Sequence, residues 1–506
     1  ALCVGGIKPA AANNIQVSNT TLTGNTGSEV MVQFDISWEN SWRGGGVANW
    51  DAAWVFVKFK YSNGLWRHVQ LATSGHVPAG GSLIDQGLLT PGAAADPVTN
   101  PTIGVFIRRD ADGTGTFSAT GVQLKWDYVA QGILTYNDIT EVRVFAIEMV
   151  YVNQGPFAAG SGGTETNAFT LTTIFTATAN TPGNGNGPGT LGGEAGGHPT
   201  GTQAPVATYP NGYNAYYCGK YEISQQQYVD FLNTLTRPQQ NARTATDLSD
   251  GITSVTNVYV MSNGIGVFNR NGIRCDAIID ATATLQFSCD GNGNGTGGEA
   301  SDGQCLACNY LGWSDILAYL DWSGLRPMSE LEFEKACRGP LPPTPNEYAW
   351  GMATINTGAM TLGNVGAADE SVLTGYSSSA GNASGASGSL TRVGIFAANP
   401  SNSNRMTAGA GYYGAMDLSG NVYERIQSLD GSYYSGLHGN GALTTLGEAD
   451  VNSWIGNLDA CGSRGGAFSV PIANITYLRV SDRFAAVGGN PNRLPSTGGR
   501  GVRTAP

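Results

Sequence analysis

The chain has 506 residues, of which 73 are glycine, and only 13% of its residues are charged. With 26 Lys and Arg against 38 Asp and Glu, its formal net charge is −12. That charge excludes the basic surface expected of a protein that binds nucleic acid or an anionic membrane. A hydrophobic content of 41% excludes a disordered chain. We therefore expect a folded protein of two or more domains, built largely from short strands and turns.

Residues 1–138 predict a separate β-domain. Runs of alternating apolar residues fill this region, turn residues separate them, and the region contains no helical pattern of ten residues. We expect an all-β sandwich of the immunoglobulin-like kind. The five runs are EVMVQFDISW, AAWVFVKFKY, LWRHVQLAT, TIGVFIRRD and GVQLKWDYV.

The second region, 139–506, opens on a strand and contains few helices. EVRVFAIEMVYV at 141–152 predicts the strand, and a stretch rich in Gly, Asn and Pro at 180–199 predicts a loop. After the last predicted helix, some 165 residues are rich in Gly and poor in helical pattern. The fold class predicted for the chain is therefore α+β.

Three helices are predicted in this region from their ends and their apolar stripes. Ser224 with Gln227, and Ser329 with Glu332, are predicted to form two capping boxes, in which each side chain accepts from the backbone N–H of the other residue. Between them, a third helix runs from Ser314 to a stop at a glycine.

Eight fragments of the second region follow one another in a specific order: EMVYVNQGPF, KYEISQQQYVDFLNTL, WSDILAYLDWSGLRPMSELEFEKACRG, YAWG, GYYGAMDLSGNVYE, SRGGAF, YLRVSDR and GGRGVRTA. This order resembles the formylglycine-generating-enzyme family of sulfatase-modifying factors, which has a variant of the C-type lectin fold. The resemblance implies one such domain over residues 139–506, with Gly-rich insertions near 180–205 and 236–304. It does not extend to residues 1–138.

In catalytic members of this family, the segment that corresponds to DLSGNVYE surrounds a calcium ion. The resemblance implies four ligands here: the side chains of Asp417 and Glu424, and the carbonyl groups of Gly420 and Val422. Hard oxygen donors of this kind suit calcium. The alternative is a turn capped by Asp417, with Glu424 paired to an arginine such as Arg464 or Arg483.

A second calcium site is implied at the GNVG segment, with Asn364 and Val365 as its first ligands. The matching region further along the chain, SSAGNASGASGSL, offers no evident acidic ligand. Any calcium in either site would be structural.

The copper chemistry of the family is expected to be absent. Catalytic members bind copper through two cysteines that follow the RGG turn, and thiolates are what select Cu(I). The corresponding positions are Val470 and Ile475, and a third family cysteine falls on Val480. We therefore predict that the chain is not an enzyme of this type.

Eight cysteines, an even number, suit an oxidising compartment. Cys275, Cys289, Cys305 and Cys308 lie in or beside the second insertion, and Cys305 and Cys308 form the only close pair in the sequence. We expect disulfides there rather than a zinc site. Cys337 would need a partner other than Val480, with Cys461 or an insertion cysteine as candidates.

The glycine-rich run GNGNGTGG at 291–298 does not predict a phosphate-binding loop. It has no lysine and no strand-to-helix frame, so we interpret it as a flexible insertion.

Together these features predict a secreted, non-catalytic protein of the cell surface or extracellular matrix. Because the chain begins at Ala1 and contains no long apolar run, we expect export with removal of a signal peptide and no membrane span. The lectin-like scaffold would contact copies of itself, in a filament or oligomer, or another surface protein or a glycan. The alternatives are an enzyme of unknown type in the family pocket, or a component of a bacterial gliding or secretion machine.

Overall fold

The computed structural model describes residues 14–44, 48–177, 208–385, 388–429, 434–454, 461–486 and 489–506. The first region, residues 1–138, is all-β among its described residues, as predicted, apart from a short 3₁₀ helix at Tyr136–Asp138. Its strands are β1 (Gln16–Thr23), β2 (Glu29–Gly44), β3 (Asn49–Tyr61), β4 (Trp66–His68), β5 (Ser82–Leu88), β6 (Thr102–Arg109) and β7 (Gly113–Asp127). Strand β8 (Ile139–Val152) follows at the start of the second region.

The first region forms two layers around one apolar core. β2 pairs with β1 and β7, whereas β3 pairs with β4, β6 and β8, and the two groups are joined only near the β2–β3 turn. Alternate residues of β2 are buried, as the period-2 pattern predicts. Val32 and Phe34 of β2 and Leu124 of β7 pack with Val55 of β3 and Ile107 of β6.

Strand β8 belongs to both regions of the chain. From Ile139 to Val150 it pairs antiparallel with β3, and its last four residues, Met149 to Val152, pair with the second region's first sheet strand, β11 (Tyr216–Gly219). The sheet of the first region therefore continues without a break into the second.

The second region contains four α-helices among its described residues, none long and apolar enough to cross a membrane. It also has a 3₁₀ helix at Ile472–Leu478. Its other elements are β9 (Phe157–Ala159), β10 (Thr172–Ile174), α1 (Gln225–Leu232), α2 (Arg237–Ala242), β12 (Ile273–Arg274), β13 (Ser288–Cys289), α3 (Trp313–Trp322), β14 (Arg326–Pro327), α4 (Glu330–Arg338), β15 (Thr361–Gly363), β16 (Ser371–Thr374), β17 (Tyr423–Gln427), β18 (Cys461–Arg464), β19 (Thr497–Gly498) and β20 (Gly501–Thr504).

Both predicted capping boxes are present. The Ser224 hydroxyl accepts from the Gln227 backbone at the start of α1, and Ser329 does the same for Glu332 at the start of α4. Helix α3 begins at Trp313, one residue before the predicted start. Few helices, short strands and long irregular segments confirm the α+β class.

The predicted insertion at 236–304 is a folded part of the second region. It contains α2, a helix that the sequence analysis missed, and its apolar residues are buried in the main core with α1 and α3. Buried members include Leu248, Val260, Ile273 and Phe287. Regularly spaced apolar side chains therefore anchor this glycine-rich segment in the core. The flexibility predicted for residues 291–298 stays a prediction. The residues at 180–199 lie outside the described part of the chain.

A buried ion cluster joins the two regions. The Lys220 ammonium lies 3.1 Å from Asp51 Oδ2 on β3 and 3.0 Å from Glu148 Oε2 on β8, and all three side chains are almost fully buried. Nearby, Trp50 Nε1 donates to the Tyr217 hydroxyl over 3.0 Å. The regions therefore share a desolvated interface as well as a sheet.

Candidate functional site

The loop from Asp417 to Glu424 has an unusual backbone that its side chains hold in place. Asp417 and Asn421 have φ angles of +59° and +60°, and Gly420 has +107°. A Cβ atom on Gly420 would lie 2.7 Å from the carbonyl oxygen of Ser384, so only glycine fits there. The loop feeds directly into β17, which places Glu424 inside the three-stranded sheet with β18 and β19.

The two predicted acidic ligands are buried and already have partners. Asp417 Oδ2 accepts from the Gly394 backbone nitrogen over 2.6 Å, and Glu424 Oε1 accepts from Arg500 Nε over 2.6 Å. Glu424 Oε2 is buried with no hydrogen-bond partner. One carboxylate oxygen therefore remains unsatisfied at the centre of the loop.

Glu222, which the sequence analysis did not select, completes the loop. Its carboxylate accepts from the Val422 backbone nitrogen over 3.0 Å and from the Asn421 side-chain amide over 2.5 Å. Burial raises the pKa of Glu222 well above its usual value, and the nearby charges of Asp417 and Glu424 raise it further. In the sequence, the one signal that could have identified Glu222 is its position just before the capping box of α1.

Burial also raises the pKa values of the other two acids, and the charge of Glu424 adds to the rise at Asp417. Burial raises the pKa of Asp417 to about 6, although the Gly394 hydrogen bond lowers it. Burial also raises the pKa of Glu424, and Arg500 opposes that rise. Three carboxyl groups thus share one interior site beside the guanidinium of Arg500.

The arginine that pairs with Glu424 is not one of the two suggested by the sequence. Arg464 and Arg483 both bind Glu330 on α4, with N–O distances of 2.7 and 2.6 Å. Sequence order gave no reason to choose Arg500, which lies 76 residues from Glu424.

The region around Val470 and Ile475 is apolar and packed. Val470 is buried with Tyr348, Trp350 and Leu478, and Ile475 packs against this group. The rings of Tyr348 and Trp350 stack with centroids 5.1 Å apart. This apolar plug fills the space beside the RGG turn.

A cavity of about 690 Å³ lies elsewhere, between the two regions. We call it the interdomain cavity. Strands β1 and β8 form one wall, and α1, α3 and the segment 298–305 form the other. Its lining combines aromatic side chains such as Phe145 and Trp322 with amides and carboxyl groups such as Gln226, Asp230 and Glu299.

A family profile described as the sulfatase-modifying factor enzyme 1-like domain matches residues 138–488. The chain belongs to the sulfatase-modifying factor family. The match begins one residue before β8 and covers more than half of the chain. The comparison with curated proteins finds no match. Strands β19 and β20 follow the range matched by the family profile, but they pair with strands inside it. Strand β19 pairs with β17, and β20 pairs with β11 and β14.

The calcium ion that the family implies would need backbone ligands as well as side chains at the Asp417 loop. Among the described residues, no group of three or more His, Cys, Asp or Glu side chains is placed to hold a metal. The orphaned Glu424 Oε2 and the crowding of three buried acids both favour a cation. The remaining ligands would be the Gly420 and Val422 carbonyl groups.

The second implied calcium site is less developed. Asn364 has a φ angle of +50° and its amide donates to Asp369 over 2.9 Å, while Val365 is 58% exposed. These residues form a surface turn apart from the Asp417 loop, and Asp369 is the nearby acid that the sequence analysis did not identify.

The cysteines of the described residues form no disulfide, contrary to the expected staples. Cys337 and Cys461, considered as partners, lie in different apolar clusters. Burial raises the pKa of Cys275 to about 11 and that of Cys218 to about 12, so both remain protonated thiols at neutral pH. They act as small apolar core residues. Cys3 lies outside the described residues.

Proposed function

We propose that the chain is a non-catalytic protein of the cell surface or extracellular matrix that uses the sulfatase-modifying factor scaffold for binding. The observation that carries the proposal is the apolar plug of Val470 and Ile475 with Tyr348, Trp350 and Leu478. Cu(I) needs soft thiolate or thioether ligands, and an aliphatic side chain offers no lone pair to a metal.

The interdomain cavity supports a binding role. Its volume of about 690 Å³ lies in the range of small-molecule sites, and it combines an aromatic wall with several amide and carboxyl groups. Aromatic faces and polar side chains together suit a glycan or a polar peptide. In this proposal the cavity takes a segment of a surface glycan or protein.

Self-association is the second mode of contact within the same proposal. Because only 13% of the residues in the whole chain are charged, the surface offers little repulsion between copies. A contact repeated along one axis would give a filament, and a closed contact a ring. A role in a bacterial gliding or secretion machine would use the same kind of contact.

One observation favours an enzyme as a second candidate. Burial raises the pKa of Asp230 in the interdomain cavity to about 6, although a hydrogen bond from Gln226 opposes the rise. A carboxyl group with such a pKa is suited to acid–base chemistry near neutral pH. Such an enzyme would work in this cavity, because the apolar plug fills the space at Val470.

Copper binding tests the proposal. The intact chain and a Val470→Cys/Ile475→Cys variant are titrated with Cu(I) in competition with a chromogenic chelator. We expect the double variant to take one equivalent of Cu(I) more from the chelator than the wild type, because both proteins contain the same native cysteines. Uptake by the wild type that perturbs the plug residues would overturn the proposal. Imaging of native particles then separates a monomeric binder from a ring or filament.

A further inference from the structure

The loop at 290–302 carries a pattern of oxygen-bearing side chains that neither the family nor the proposed function explains. Asp290, Asn292 and Asn294 alternate along the chain, Gly295 follows at once, and Asp302 closes the loop. Alternating acid and amide residues followed by glycine are typical of calcium loops, where the glycine makes a sharp turn. Gly295 has a φ angle of +89°, which fits that turn.

Two acids of this loop are fully buried and each has an unsatisfied oxygen. Asp290 and Asp302 both have 0% exposed surface, and Oδ1 of each is buried without a hydrogen-bond partner. The other oxygens are occupied: Asp290 Oδ2 accepts from the Tyr259 hydroxyl over 3.0 Å and from Gly295 N over 3.1 Å, and Asp302 Oδ2 accepts from Glu299 N over 2.6 Å. A buried carboxylate oxygen left unpaired is costly unless a cation meets it.

The loop carries three carboxyl groups, those of Asp290, Glu299 and Asp302. Among the described residues, the ion pair formed with the loop is that of Arg274, whose Nη1 lies 3.2 Å from Asp290 Oδ2. One guanidinium in the described part of the chain thus faces three carboxyl groups.

The amide side chains add oxygen donors to the same loop. Asn292 and Asn294 both donate to Glu299 Oε2, over 3.3 and 2.5 Å, which gathers a third carboxylate beside them. Their own side-chain oxygens accept from backbone nitrogens of the loop at 2.9 and 2.7 Å. The loop thus holds two buried carboxylates, an exposed one and two amide oxygens. Because no group of three or more His, Cys, Asp or Glu side chains among the described residues is placed to hold a metal, the amide oxygens are needed to complete this site.

We propose that the loop 290–302 binds a calcium ion through Asp290 and Asp302, with the side-chain oxygens of Asn292, Asn294 and Glu299 as further ligands. Oxygen donors without imidazole match calcium rather than zinc. Glu299 also lines the interdomain cavity, so the ion would fix one wall of it. The site stands independently of the proposed function.

Terbium luminescence tests the site in the intact chain, because Tyr259 lies against Asp290 and can sensitise a bound lanthanide. We expect Tb³⁺ emission that calcium displaces, and an affinity about ten-fold weaker or worse in Asp290→Asn and Asp302→Asn, since ligand charge sets the affinity of such loops. Asp110→Asn, in the glycine-rich turn between β6 and β7, is the matched control and leaves binding unchanged.

Hydrogen exchange on the wild type covers the case in which a variant does not fold. Calcium addition is expected to slow amide exchange in peptides that span 289–303, with no comparable change in peptides around 110. Unchanged exchange in 289–303 at saturating calcium would overturn the proposal. Equal calcium affinity in wild type and both folded Asp variants, or a clear preference for zinc, would do so as well.

Discussion

Arg500 donates from Nε to Glu424 Oε1 over 2.6 Å in the interior of the second region, where both side chains are almost fully buried. The same guanidinium donates to the carbonyl oxygens of Gly219 and Met416. It therefore supplies the positive charge in a site that also holds Asp417 and Glu222.

Replacing Arg500 by methionine is expected to destabilise the fold by about 3–5 kcal/mol, because it leaves a buried carboxylate unpaired. Arg143→Met is the control, since the Arg143–Glu141 pair is about 40% exposed and such pairs contribute about 1 kcal/mol or less. Denaturant unfolding measures both. The double variant Arg500→Met/Glu424→Gln should recover part of the loss; equal losses for Arg500→Met and Arg143→Met would contradict this account.

The ion cluster between the regions gives a second prediction. Lys220→Met is expected to cost about 3–5 kcal/mol, since Asp51 and Glu148 would remain buried without a cation. Burial already raises the pKa of Glu148 to about 7 even with Lys220 present. Guanidinium denaturation followed by fluorescence measures the loss.

Lys125→Met provides the comparison for this variant, because the Lys125–Glu29 pair on the first region is about one-third exposed. We expect it to cost about 1 kcal/mol or less. If Lys220→Met lowered the free energy of unfolding as little as Lys125→Met, the stability of the interface would not depend on this ion cluster.

Lys335 predicts a pH dependence of stability. Burial lowers its pKa to about 7, while its ammonium group donates to the Gly212 and Tyr213 carbonyl oxygens. A lowered lysine pKa means that the unfolded chain binds a proton that the folded chain has released. The free energy of unfolding should therefore rise with pH above about 7, by up to about 1.4 kcal/mol per pH unit.

The comparison with Lys335→Met isolates this effect from other titrating groups. The stability difference, wild type minus variant, is expected to increase between pH 7 and pH 9. A difference that stays flat across this range would mean that Lys335 remains charged in the folded chain.

Calcium binding at the Asp417 loop can be measured separately from calcium binding at the 290–302 loop. In an Asp290→Asn background, a chelator is expected to lower the melting temperature still, because an ion that binds only the folded chain adds about 2.7 kcal/mol at one hundred times its Kd. Adding Glu424→Gln should remove the remaining chelator effect. If a chelator did not shift the melting curve of Asp290→Asn, the Asp417 loop would not bind calcium.

Local patterns in the sequence predicted the elements that depend on local chemistry. The capping boxes at Ser224 and Ser329 and the alternating run of β2 lie where their residues predicted, since caps and pleats need only near neighbours. The short helix α2 was missed because six residues carry too little periodicity.

The candidate site could be predicted only in part, because its contacts join residues that are distant in the sequence. The loop residues Asp417 and Glu424 stand out in the sequence, but their partners come from distant segments. Glu222 lies 199 residues from Asn421, and Arg500 lies 76 residues from Glu424. Chain folding alone brings such charges together, so neither could be chosen among 64 charged residues.

The central claim is that the chain lacks the copper chemistry of the family because aliphatic side chains occupy the positions of the copper-binding cysteines. The most direct measurement is oxygen consumption by the copper-supplied intact chain with a cysteine peptide from a sulfatase, together with mass analysis of that peptide. We expect no oxygen uptake above the peptide-only control and an unmodified cysteine. Conversion of the cysteine to formylglycine, with oxygen consumed in proportion, would contradict the account.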